Sequence, residues 1–392
     1  MWYCICRVEY FTSAHADYKP VQNTIFLMKA GCRLKYNLEK MRNINNMEDI
    51  HKKLIDKLLL SKPESYPASL FHGKTGLSIY FFYLSRIESN PEYYSIADKL
   101  IDQVFLHDLS KNHAIDVENG LAGVGLGVTW LVKNNFIDAD LNELLEVIDN
   151  AIFRRIAFQK DSSGSSANVL LHLTGYLYIR LKEQTDINLK ILYQDLIIKV
   201  LNMLYGKIDD EFLNESYTFS AYHYQLPVLL WVVSKLLAAS FYNERIYKMM
   251  DELQLRILSR FPLIHANRLF LLWGMLHLKP YLHCDQTLWN NYIQLLYREI
   301  NVETILENEM NCRKIFISNG FSAVYILLHA INRDFPDYQL PFDPQKIYHK
   351  LQNPDAWNAL IERDYFYQIH QGLFNGFPGV QLVLEHIKAI TN

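Results

Sequence analysis

The sequence predicts an all-α protein, an α/α toroid of seven helical hairpins with an inner and an outer ring of helices. Three observations carry this. Five short glycine- or small-residue-centred strings each open a strongly apolar run. Two degenerate copies fit the one long gap between them, which makes seven units of about 45 to 56 residues. Each unit repeats one order: an amphipathic segment, a loop, the string, and an apolar segment. A β reading fails, because no strict two-residue alternation is flanked by hairpin turns.

Residues 1–46 do not join the repeat. They hold seven Lys or Arg against three Asp or Glu, and Cys4, Cys6 and Cys32, with no clear period. They read as an irregular N-terminal extension with Met47 as an alternative start, and residues 47–392 as the toroid domain. Met47-Glu48-Asp49-Ile50 then opens an amphipathic helix.

The first string is His72-Gly73-Lys74-Thr75-Gly76 and the second Asn119-Gly120-Leu121-Ala122-Gly123. Between them, Ile96, Leu100 and Val104 recur at helical spacing, which predicts an outer helix. His172-Leu173-Thr174-Gly175 is the third string. Tyr222–Gln225 and Asn267–Phe270 are the degenerate fourth and fifth. Asn319-Gly320-Phe321-Ser322-Ala323 and Asn375-Gly376-Phe377-Pro378-Gly379 complete the series. The runs over 124–133 and 323–331 are apolar on nearly every face, so they must be buried all round. Glycines at the start of inner helices let loops and backbones approach closely where the ring converges. The same helix N-termini point unpaired N–H groups and positive dipole ends at one mouth.

Several function classes are excluded at this stage. Half the residues are hydrophobic and 21% are charged, which is a folded composition. A net charge of −3 gives no polybasic footprint for nucleic acid. The most apolar stretch, Leu226 to Phe241, is broken by Pro227 and Lys235 and makes a poor membrane span. Met1–Tyr10 lacks the pattern of a signal peptide, and the five cysteines are too scattered for a disulfide framework. A cytoplasmic protein is the expectation.

Candidate site residues lie at the mouth. Asp116 and Glu118 stand just before the second inner helix, where carboxylates suit the dipole or proton transfer. His72 could donate into the mouth, and His370-Gln371-Gly372 precedes the last string. Gly120, Asn319, Gly320 and Asn375 are candidate binding residues, and Phe321, Phe374 and Phe377 a candidate platform for peptide side chains. His277, His283, Cys284 and Cys312 are zinc-ligand types, but no repeat symmetry brings them together, and buried cysteines with surface histidines are the simpler reading.

These strings, with His-Gly-x-x-Gly early, Asp116-Val117-Glu118-Asn119-Gly120-Leu121-Ala122-Gly123 second and Asn-Gly-Phe-x-Gly-Val late, resemble the lanthionine synthetase C-like family over residues 47–392. The resemblance implies the toroid and a peptide partner. It also implies, for the cyclases of that family, a zinc ion held by two cysteines and a histidine that activates a peptide cysteine thiolate. Asp116 matches an acidic residue for which proton handling is implied. At the implied ligand positions this chain has His265, Ser318 and Asn319 instead. No thiolate stands at any of them, so zinc-dependent cyclase activity and a cofactor are not expected. The expected function is a zinc-less peptide- or partner-binding accessory in peptide modification. The alternative is an enzyme of the toroid type, a glycoside hydrolase built on paired carboxylates or an unusual peptide cyclase.

Overall fold

A computed structural model describes residues 47–109, 114–158, 165–282 and 286–391. The expected extension over 1–46, with Cys4, Cys6 and Cys32, lies outside the described residues, as do His283 and Cys284. Of the described residues 74% are helical and none is in a strand.

The chain begins with α1 (residues 47–60) and α2 (Lys74–Glu88), then α3 (Pro91–Gln103), α4 (Leu121–Lys133), α5 (Leu141–Phe158), α6 (Ala167–Glu183) and α7 (Ile187–Tyr205). It continues with α8 (Leu226–Ala239), α9 (Asn243–Leu258), α10 (His265–Leu278), α11 (Gln286–Arg298), α12 (Phe321–Asp334), α13 (Pro344–Leu351), α14 (Pro354–Glu362) and α15 (Phe377–Thr391).

Helices α2, α4, α6, α8, α10, α12 and α15 form the inner set. In α4 every residue from Leu121 to Leu131 is buried, and in α8 every residue from Leu226 to Ser234. Burial of each large apolar side chain contributes roughly 1.5–3 kcal/mol, which outweighs the poor helix propensity of Gly123, Gly125 and Gly127. Outer helices are buried along one stripe only: α3 buries Ala97, Leu100 and Ile101, and α9 buries Ile246, Met249, Met250, Leu253 and Ile257. Polar side chains cap their starts, as Asn90 does for Glu92 N–H and Asp186 for Asn188 and Leu189 N–H.

Neighbouring inner helices pack in chain order from α2 to α12, α13 packs against both α12 and α15, and α15 packs against α2. That last contact closes the ring, so the fold is an α/α toroid. The outer layer is less regular at its end, where α13 and α14 share the place of one helix.

The inner helices α2, α4, α12 and α15 begin in one way. The first helical N–H donates to the carbonyl seven residues earlier: Lys74 to Pro67 at 2.8 Å, Leu121 to Ala114 at 2.9 Å, Phe321 to Lys314 at 2.9 Å and Phe377 to His370 at 3.1 Å. The loop is thereby strapped across the helix start. A Cβ on Gly76 would lie 2.1 Å from the Leu70 carbonyl oxygen, and one on Gly123 2.0 Å from that of Val117. No described glycine has positive φ, so the requirement is space for the strap rather than conformational freedom.

Candidate functional site

The loops before the inner helices meet at one end of the ring. Their backbones form a chain of hydrogen bonds around the mouth. Ala221 N–H donates to Ser318 O at 2.8 Å, Ser318 N–H to Phe374 O at 3.2 Å, Phe374 N–H to Phe71 O at 3.5 Å and Phe71 N–H to Glu118 O at 3.4 Å. This belt joins the fourth, sixth, seventh, first and second units and passes over the fifth.

Inside the belt four units contribute to one polar cluster. Glu118 Oε1 lies 3.3 Å from His72 Nε2. The Tyr222 hydroxyl faces Glu118, and the Asn168 amide faces Tyr222. These contacts, with His72 first, hold the Glu118 carboxyl below the usual carboxylate range, while burial pushes Tyr222 well above the ordinary tyrosine value. Beneath the cluster His172 stacks on Tyr222 at 5.5 Å, and burial lowers its imidazole to about 3, so it stays neutral. Phe71 meets Tyr222 edge-on at 5.6 Å and stacks on Phe374 at 4.1 Å.

The sequence-predicted residues divide. His72 and Glu118 come together. Asp116 does not join them: its Oδ1 accepts the Asn119 N–H at 2.6 Å and its carbonyl the Gly123 N–H, which braces its own loop. Gly120 and Gly320 are buried at helix starts under their straps, whereas Asn319 and Asn375 are half-buried. Phe321, Phe374 and Phe377 are only 1%, 4% and 0% exposed. They are core side chains in this conformation and present no open platform, because the belt draws their loops inward. His370 accepts no ligand role by its contacts: Nδ1 lies 2.6 Å from Asn375 O, the ring stacks on Phe316, and Gln371 takes the Tyr66 hydroxyl.

Tyr222 and Asn168 were missed as site residues. Tyr222 opens the degenerate fourth string, and its alignment with His72 and Asn119 in the belt was the available signal; nothing marks Asn168.

The fifth unit is built differently. Glu309 accepts the N–H groups of His265 at 2.6 Å and Ala266 at 2.9 Å, at the start of α10. Glu215 accepts the Leu263 N–H at 2.5 Å and the Asn267 amide at 2.7 Å. His265 turns toward the loop after α11, where Nδ1 lies 2.9 Å from the Glu299 carbonyl oxygen and 3.1 Å from the Asn301 nitrogen. Ser318 and Asn319 offer no thiolate. The donors at these three positions do not fit a zinc ion, which needs soft or imidazole ligands converging in a tetrahedron. Among the described residues no three His, Cys, Asp or Glu side chains cluster to hold a metal. His277 packs on Trp273 and Phe335 in the last turn of α10, while Cys312 Sγ lies 3.4 Å from Asp355, so they do not form a pair. No described helix is long and apolar enough to cross a membrane.

The same fold occurs in the solved structure of nisin cyclase, with a TM-score of 0.56 over 88% of this chain and 94% of that one, at 13% identity. At such identity the likeness shows the fold. No family model and no curated protein sequence matches this chain.

Proposed function

We propose that this chain is a peptide-binding protein of the lanthionine synthetase C-like type, acting in peptide modification without catalytic zinc. The observation that carries the reading is the pairing of a nisin cyclase-like fold with donors unfit for zinc at His265, Ser318 and Asn319. The glycoside hydrolase alternative loses ground. Asp116 is spent on its own loop, and Glu215 and Glu309 are spent on the start of α10. What the mouth offers a peptide is a half-buried polar cluster from four units.

Protein purified without chelator should hold well under one zinc per chain, and chelator should leave its melting temperature unchanged. The triple variant His265→Cys, Ser318→Cys, Asn319→His is the sharper test. It should gain zinc only if α10 starts close enough to α12. Stoichiometric zinc in the unaltered protein would overturn the reading.

A further inference from the structure

Among the described residues, one ring nitrogen at the mouth has no hydrogen-bond partner, and its surroundings select what can fill its place. With Glu118 Oε1 at 3.3 Å, the proton of neutral His72 belongs on Nε2. Nδ1 then keeps a lone pair, and no described group donates to it. The side chains of His72 and Glu118 are 33% and 30% exposed, so the pair can be reached from solvent. The Tyr222 hydroxyl faces Glu118 and Asn168. The open position is thus an acceptor beside a carboxylate, next to the Tyr222 ring. Among the described residues Glu118 has no lysine or arginine counter-ion.

Resting on the peptide-binding reading above, we propose that this position takes a protonated primary amine of the peptide, donating an N–H to His72 Nδ1 with its charge facing Glu118. An ammonium group has three donors and no acceptor, which matches one open lone pair beside an anion. A tyrosine ring at the same place adds to the attraction for a cation. An anion or a neutral acceptor would meet Glu118 and find no donor.

The test uses the full chain with carbon-13-labelled histidines, His72 being assigned with His72→Gln. Four probes are titrated: acetyl-Gly-Lys-Gly-amide, Gly-Gly-Gly-amide with a free amino terminus, acetyl-Gly-norleucine-Gly-amide and acetyl-Gly-Glu-Gly-amide. A saturable shift of the His72 signal is expected with the lysine peptide, the free-amine peptide or both, and the stronger of the two names the source of the amine. The norleucine and glutamate peptides should bind about tenfold more weakly or worse. Glu118→Gln should weaken the amine probes about tenfold and leave norleucine unchanged; Glu118→Asp, which draws the carboxylate back by one methylene, serves if Glu118→Gln melts early. Equal binding of all four, or preference for glutamate, overturns the amine assignment alone. Binding of none overturns the peptide-binding reading with it.

Discussion

The second and fifth units bring an inner helix to the same mouth by different means. At α4 the loop straps itself across the helix start: Ala114 and Asp116 carbonyls take the Leu121 and Gly123 N–H groups, and glycines clear the space. At α10 there is no such strap. Two carboxylates from neighbouring units, Glu215 and Glu309, take the loop and helix N–H groups instead. A strapped start is complete within its own unit. A braced start depends on residues some fifty positions before it and some forty after it, and it places negative charge at the positive end of the helix. The belt follows the same division, since it runs directly from Ala221 to Ser318 and leaves the fifth unit out.

The comparison is broken most directly by giving the second unit a side chain where the strap passes. In Gly123→Ala the new Cβ would sit 2.0 Å from the Val117 carbonyl oxygen and 3.2 Å from Leu70 Cβ. A backbone carbonyl cannot turn aside as a flexible side chain can, and Phe71 ties the same loop to the belt. The expected loss is about 3 kcal/mol or more, read as a lowered urea midpoint. A loss below about 1 kcal/mol would mean that the strap is not close-packed.

The braced start should fail more gently and locally. Glu309→Ala leaves the His265 and Ala266 N–H groups without their acceptor, at a cost of about 1–3 kcal/mol. Hydrogen exchange should speed up at the start of α10, while amides of the belt such as Phe71 and Ser318 keep their protection. Equal loss at both places would show that the fifth unit is not independent of the belt.

How far the sequence foretells all this follows from the same contrast. The strapped starts are local, with donor and acceptor seven residues apart, so their glycine strings could be read from the chain alone. The all-helical toroid followed from them and from the apolar runs. The braces are not local: Glu215 and Glu309 look like ordinary loop acids until the ring is closed. Asn168, which faces Tyr222 from another unit, carries no local signal for the same reason. Phe321, Phe374 and Phe377 misled in the opposite direction. Their place beside the glycines was right, but position along the chain says nothing of whether a ring turns inward or out.

The sixth unit has the strap and Gly320 but lacks the second glycine of the string, and there the smallest effect is expected. Phe321 N–H reaches the Lys314 carbonyl as its counterparts do, yet Ala323 stands six residues after Ile317, where Gly123 and Gly379 stand after Val117 and Leu373. Ala323 is fully buried. Two outcomes of Ala323→Gly can be told apart by sign. If the sixth strap is as tight as the others, the methyl group is strained and its removal stabilises the protein. If the loop is set back by the width of a methyl, removal costs helix propensity and a buried contact, about 1 kcal/mol in sum. The second outcome is expected, because the Ser322 side chain gives this strap another bond, donating from Oγ to the Ile315 carbonyl at 2.5 Å. Thr75 does the same in the first unit toward Ala68, beside a glycine at position 76. The hydroxyl and the glycine are therefore separate devices, and Ala323→Gly measures the second with the first in place. A stabilised variant, read as a raised urea midpoint, would mean that the sixth unit is a strained copy of the glycine start rather than a third way of building it.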